Sequence, residues 1–307
     1  MHVATLVAPS HAADVTLQDT LLRKCIAAIS NAEGTVLGEA WLEPHMAVDL
    51  GFTGIDVQAA REALEPVAHH AHVDVIVQTE AHRQKKLLIA DMDSTMITVE
   101  CIDELADFVG KKQDVARVTE AAMRGEIDFE KALEARVALL KGLPVSVLQR
   151  CYDERVRYTA GAEALVKTMR AKGAHTVLVS GGFTFFTNHV RTHLGFHIDI
   201  SNTLKTSHDA NGHDHLLGEV SRPIINGEMK RLTLLEQASD KEVTLNDCLA
   251  VGDGANDIPM IQTAGLGVAF HAKPKTIAAA DACIKYGDLS ALLYAQGYRR
   301  RDWAAAA

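Results

Sequence analysis

Two carboxylates one residue apart, Asp91 and Asp93, directly follow the apolar run Leu87–Ala90 in LLIADMDSTMI. At the mouth of a buried strand this spacing suits a pair in which one carboxylate attacks and ligates a metal while the other moves a proton. The competing reading is a capped turn, because Asp, Ser and Thr all favour turns. A second run, Thr176–Val179, ends in Ser180, Gly181 and Gly182. A hydroxyl with unhindered backbone N–H groups can bind an anionic oxygen, although an ordinary strand-to-helix turn would use the same residues. After a third run, Cys248–Val251, stands GDGANDIPM, with Asp253, Asn256 and Asp257. Acidic side chains beside glycines suit a hard cation such as Mg2+, which takes oxygen ligands and keeps waters. This stretch lacks the third glycine of a dinucleotide fingerprint and puts carboxylates where a pyrophosphate would sit, so no dinucleotide site is expected. Lys230, in NGEMKRLTLLEQ, would alone be an ordinary surface charge. Beside several carboxylates and Mg2+ it becomes the cation that a phosphoryl group needs.

A substrate must also be gripped away from its reacting end. A helix is expected over Asp128–Lys141, with Phe129, Leu133, Val137 and Leu140 as its apolar stripe and Arg136 beside it. Such an arginine either lays its stem on the apolar surface or aims at a carboxylate. Glu100 could pair an ammonium, and Glu100 with Arg136 would then hold an amino acid between them.

The elements that must position these residues follow from the apolar pattern. Leu87–Ala90, Thr176–Val179, Cys248–Val251 and Leu266–Phe270 are short apolar runs separated by helical stretches. That pattern predicts a parallel sheet covered on both faces, with ligands outside the carboxyl ends of its strands. The segment from about Glu100 to Val156 is punctuated by Gly110, Gly125, Gly142 and Pro144 and reads as an inserted helical cap. Asn211-Gly212 between extended stretches of Asn202–Val220 signals a hairpin.

Residues 1–80 read β-α-β-β-α-β: His2–Val7, Leu17–Asn31, Val36–Leu42, Met46–Phe52, Asp56–His69 and Val73–Gln78. This order fits a ferredoxin-like α+β domain. The polar, basic stretch 81–86 (AHRQKK) is taken as a linker, residues 87–295 as the core with its cap at about 100–156, and residues 296–307 as a frayed tail. Residues 1–80 are therefore expected to be removable without unfolding the remainder.

The 307 residues carry a formal net charge of −9, with 48% hydrophobic and only 5% aromatic residues. The composition excludes bulk disorder, and the charge excludes a general polyanion-binding surface, so neither nucleic acid nor membrane is an expected partner. Cys25, Cys101, Cys151, Cys248 and Cys283 form no CxxC and read as reduced thiols. No apolar run is long enough to span a bilayer, and the first basic residue is Arg23, which argues against a signal peptide. A cytoplasmic protein is expected. His208, Asp209, His213, Asp214 and His215 surround the hairpin turn and read as solvated loop; His69, His70 and His72 read as partners of a helix dipole.

Asp-x-Asp, Ser, Lys and GDGxND, in that order and each near the end of an apolar run, resemble the haloacid-dehalogenase-like phosphohydrolases from residue 87 to about 295. The resemblance implies a Rossmann-like core and an aspartyl-phosphate intermediate. Asp91 would be the nucleophile and Asp93 the general acid/base. Asp91, the Asp93 backbone carbonyl and Asp253 would hold Mg2+, Ser180, Gly181 and Lys230 would bind phosphate, and Asn256 and Asp257 would support the site. With ADMDSTMI, Glu100, FEKALEARVALLKGLP and SGGF, the resemblance sharpens to the phosphoserine phosphatase family, in which Glu100, Phe129 and Arg136 would contact the amino-acid part of O-phosphoserine. Residues 1–80 look like an ACT-type regulatory domain by element order. The loop Pro9–Thr16 has no glycine, unlike the first loop of amino-acid-binding ACT domains. The alternatives are a phosphatase for another small metabolite, a phosphotransferase, or an inert amino-acid sensor; an inert relative has no need of the intact Asp91, Asp93, Lys230 and Asp253. A homodimer is compatible with any of these.

Overall fold

The computed structural model describes residues 1–12, 15–123, 126–208 and 212–304. Its first unit follows the expected order: β1 (His2–Val7), α1 (Asp19–Asn31), β2 (Thr35–Glu43), β3 (Ala47–Thr53), α2 (Val57–His70) and β4 (Asp74–Thr79). The strands form an antiparallel sheet in the order β2-β3-β1-β4. Alternation along β1 and β3 buries Leu6, Leu50 and Phe52 together with Ile29 of α1 and Leu64 of α2. Asp56 caps α2 by accepting from Ala59 N at 2.8 Å.

The larger unit begins with β5 (Leu87–Ala90). Then come the cap helices α3 (Cys101–Phe108), α4 (Lys112–Met123), α5 (Phe129–Ala138) and α6 (Ser146–Arg155). The chain returns through α7 (Ala162–Ala171), β6 (His175–Phe183), α8 (Thr184–Leu194) and β7 (Ile198–Asn202). A hairpin of β8 (Leu204–His208) and β9 (Asp214–Val220) follows, then α9 (Gly227–Asp240), β10 (Cys248–Gly252), β11 (Leu266–Phe270) and β12 (Ala282–Ile284). Six strands form one parallel sheet in the order β12-β11-β10-β5-β6-β7. Its central strands are buried on both faces, which is why they are continuous apolar runs rather than alternating ones. From β5 the chain winds to one edge through β6 and β7, then to the other through β10, β11 and β12. The winding therefore reverses between β5 and β10, and in open α/β sheets a ligand crevice lies at that point.

The two units are more closely joined than the polar stretch 81–86 suggests. Val7, Leu42, Ala47 and Ile76 share one apolar cluster with Leu88, Leu292 and Leu293. Arg83 donates to both Asp49 carboxylate oxygens, at 2.8 and 3.0 Å, and from Nε to Ala295 O at 3.1 Å. Asp74, at the head of β4, accepts from the backbone N–H groups of Lys285, Tyr286 and Gly287. Lys85 is buried and donates to Asn246 O at 2.7 Å. Removal of residues 1–80 would take Asp49 from Arg83 and Asp74 from the backbone of Lys285–Gly287. We expect Arg83→Ala to destabilise the full chain by about 3 kcal/mol, because Asp49 is left nearly buried without its counter-charge. Urea unfolding checks this, and a midpoint equal to wild type would show that the joint contributes nothing.

The tail also departs from expectation. Trp303 packs on Tyr294, with Arg300 over its ring at 4.3 Å, and Ala304 N donates to Thr168 Oγ1. These contacts anchor the segment as far as Ala304, and residues 305–307 lie outside the described residues. The helix expected over Asp128–Lys141 is the shorter α5, with Asp128 as its N-cap. All five cysteines are free and buried.

Candidate active site

The carboxyl ends of β5 and β10 are neighbours, with Ala90 opposite Val251 and Asp91 N donating to Val251 O at 3.0 Å. The sheet register thus brings the two acidic motifs together across 160 residues of chain. Asp91 Oδ1 accepts from Met92 N at 2.7 Å, and the chain then makes a single wide turn over Met92–Met96. Within it Ser94 adopts a left-handed backbone, φ 55°, and its hydroxyl donates to Glu100 Oε1 at 2.7 Å. Asp93 Oδ1 accepts from Cys101 N, the first residue of α3, at 3.1 Å. A Cβ on Gly182 would stand 2.7 Å from Asp93 Oδ2 and 3.0 Å from Ser180 Oγ, so these groups converge where only glycine fits. Ser180 Oγ in turn accepts from Gly182 N at 2.8 Å.

Lys230 is completely buried, with Nζ 2.7 Å from Asp91 Oδ1 and 2.7 Å from Asp257 Oδ1. Burial opposes its charge, but Asp257 and Asp91 hold the ammonium above its ordinary value. Oxygens of Asp91, Asp253 and Asp257 lie within 4.8 Å of one another. Burial first, then repulsion from Asp257, pushes the Asp91 carboxyl well above the usual range, with Lys230 opposing. Burial and Asp257 likewise push Asp253 up to about 7, and burial and Glu100 push Asp93 up to about 7. One lysine does not balance this many carboxylates. Asp257 is committed to Lys230 and, through Oδ2, to Gly254 N at 2.9 Å. Asp91 and Asp253 are therefore better placed to ligate, and an all-oxygen set of this kind fits a hard divalent cation.

The substrate-side residues come from the cap. Phe129 lies over Gly181, where an added Cβ would be 3.2 Å from the ring. Arg136 is half-buried and donates from Nε to Ala132 O at 3.3 Å. Burial lowers its guanidinium from the ordinary value, against the nearby carboxylates of Asp103, Glu100 and Asp93. Glu100 is exposed at the head of α3. The structure thus gathers Asp91, Asp93, Glu100, Phe129, Arg136, Ser180, Gly181, Lys230, Asp253 and Asp257 around one crevice. Asn256 stands beside them with its Oδ1 against Gly254.

Two supporting residues were not legible as such. Thr95 is buried and donates to Asp253 Oδ1 at 3.3 Å. Asn202 donates to Gly181 O and accepts from Ile225 N, both at 2.8 Å, which fixes the loop below Phe129. Nothing in their local sequence sets them apart from turn residues. The histidines read as bystanders stay outside the crevice. His69 pairs with the Tyr286 hydroxyl and His72 meets its ring edge-on. His208 pairs with Asp214, while Asp209 and Asn211 lie outside the described residues, as does Gly125. Among the described residues, Asp91, Asp253 and Asp257 are the one group of three or more acidic, His or Cys side chains close enough to share an ion.

The sequence profile of the family described as haloacid dehalogenase-like hydrolase matches residues 88–262. A phosphoserine phosphatase of Polaromonas is 46% identical over 209 residues, 68% of this chain and 88% of the relative. The chain belongs to the haloacid dehalogenase-like hydrolases, in the phosphoserine phosphatase family. A haloacid-dehalogenase-family hydrolase of Salmonella enterica superposes with TM-score 0.81 at 26% identity, covering 96% of this chain and 98% of that one. A probable phosphoserine phosphatase of Vibrio cholerae superposes with TM-score 0.77 at 29% identity, over 98% and 88% of the two chains. Both superpositions extend through the antiparallel sheet of β1–β4, so these hydrolases share the whole arrangement and not the phosphatase core alone.

Proposed function

We propose that the chain hydrolyses O-phospho-L-serine to L-serine and phosphate through a phosphoenzyme on Asp91, with Mg2+ held by Asp91, Asp253 and the Asp93 carbonyl. Bound there, Mg2+ would neutralise charge on the phosphoryl group and orient it for in-line displacement. Asp91 attacks phosphorus, the bond from phosphorus to the serine oxygen breaks, and Asp93 gives its proton to the departing alkoxide. Asp93 then takes a proton from water as that water attacks phosphorus and releases Asp91. A carboxyl pushed up to about 7 can both give and accept a proton near neutral pH. Lys230 offsets the charge of Asp91 and of the phosphate, and Ser180 with the N–H of Gly181 binds a phosphoryl oxygen. Asn256 and Asp257 hold the third loop and the lysine in place.

The carrying observation is that Phe129 of the cap lies against Gly181, next to Ser180, and that the guanidinium of Arg136 on the same helix is near enough to feel the charges of Glu100 and Asp93. Arg136 would take the substrate carboxylate and Glu100 its ammonium. Cytoplasmic residence is supported by five free cysteines, and no helix among the described residues is long and apolar enough to cross a membrane. A screen of phosphorylated metabolites for phosphate release, with and without Mg2+, tests the reading. Phosphoserine should be the preferred substrate and chelation by EDTA should stop its turnover. Full activity in EDTA, or preference for a phosphoester without an amino-acid part, would overturn it.

A further inference from the structure

The cap joins the sheet through paired backbone at Ile97 and Tyr158, but it is also fastened on its far side. There the hairpin β8–β9 meets the segment after α5. Gly142 N donates to Leu216 O and Leu216 N to Leu143 O, both at 2.8 Å, and Val145 N to Asp214 O at 2.9 Å. Beyond the hairpin, Arg222 donates to Glu130 Oε2 at 3.0 Å and to Glu134 Oε1 at 2.6 Å, both on α5. Asn226 joins this cluster to the catalytic crevice. Its Oδ1 accepts from Met229 N at 3.0 Å and caps α9, the helix that carries Lys230. Its Nδ2 donates to Glu130 Oε1 at 2.9 Å, beside Phe129 and on the helix of Arg136.

Capping needs only the acceptor, and aspartate would supply it equally well. What capping leaves unexplained is the amide donor, which asparagine has and aspartate lacks. We propose that Asn226 is a positioning residue that, with Arg222, latches the substrate-side helix of the cap to the lysine helix, and that this latch sets selectivity for phosphoesters bearing a carboxylate. The inference rests on the function proposed above. With the latch made, Phe129 and Arg136 are held over the phosphate site. With it broken, the phosphate machinery stays intact but its grip on the rest of the substrate is looser.

The test uses the full chain and two variants. Asn226→Asp keeps the helix cap but sets a second carboxylate against Glu130. Asn226→Asp with Glu130→Gln returns a donor to the pair from the other side. Asn226→Asp should lower kcat/KM for phosphoserine about tenfold, mostly through KM, and leave p-nitrophenyl phosphate within about twofold. The double variant should recover most of the loss. Hydrogen exchange on the same proteins without substrate should quicken in residues 129–138 for Asn226→Asp while residues 227–240 keep their protection. Equal losses on both substrates, or lost protection in α9, would mean that Asn226 serves only as a cap. Unchanged exchange in α5 would overturn the latch even if phosphoserine proved not to be the substrate, whereas altered exchange without phosphoserine turnover would retain the latch and reject the function.

Discussion

Asp91→Asn should lower phosphoserine turnover by roughly four to six orders of magnitude, the scale of removing a covalent nucleophile. An amide is a poor nucleophile and a poor ligand for a hard cation, so two contributions vanish together. The loss should not come from unfolding. The amide keeps the shape of the side chain and relieves the repulsion from Asp257 that pushes the Asp91 carboxyl up, while Asp257 still pairs Lys230 at 2.7 Å. Thermal melting without metal should therefore be no lower than wild type, whereas the stabilisation by added Mg2+ should shrink. Asp93→Asn should behave differently. Asp91 can still attack, but nothing at position 93 protonates the departing alkoxide or takes the proton from water, so some phosphoenzyme should form slowly and then persist. Near-normal phosphate release from Asp91→Asn would remove the covalent route.

Arg136→Ala should cost phosphoserine one to two orders of magnitude in kcat/KM relative to phosphoethanolamine, which lacks the carboxylate. A charge-assisted contact in a closed cap is worth roughly 1.5–3 kcal/mol, which sets that range. Lysine at this position should rescue only in part, because it keeps the charge without the planar fork. Glu100→Gln should show the complementary loss on substrates with a free ammonium. Equal losses on both substrates for Arg136→Ala would mean that the arginine holds the cap or the phosphate and does not read the carboxylate.

The carboxylates and Ser180 were legible because they stand at or just beyond the carboxyl ends of strands buried on both faces. Leu87–Ala90, Thr176–Val179 and Cys248–Val251 announce themselves as apolar runs, and the chemistry stands at their ends. The edge strands β7 and β12 lacked that signal: IDISN is half polar, and ACI is too short to separate from a loop. Lys230 was identified only in the company of the carboxylates, since nothing in NGEMKRL says that its ammonium is completely buried. Asn226 and Glu130 are 96 residues apart, and no local pattern couples two polar residues across that distance. The contacts of the stretch 81–86 were hidden for a related reason. Its charges look solvated, yet Arg83 finds Asp49 in the first sheet and Lys85 finds a backbone carbonyl before β10. The sequence shows where charge is, and the tertiary fold decides whether it meets water.

The central claim is that Asp91 takes the phosphoryl group of phosphoserine. Its most direct test is acid quench of Asp93→Asn over a long time course with Mg2+ and phosphoserine labelled in its phosphate, followed by mapping of the protein-bound label. The account predicts close to one label per chain, released by hydroxylamine as an acyl phosphate is, and carried by the peptide containing Asp91. Label on another residue, or phosphate release from wild type with no labelled protein in either form, would contradict it.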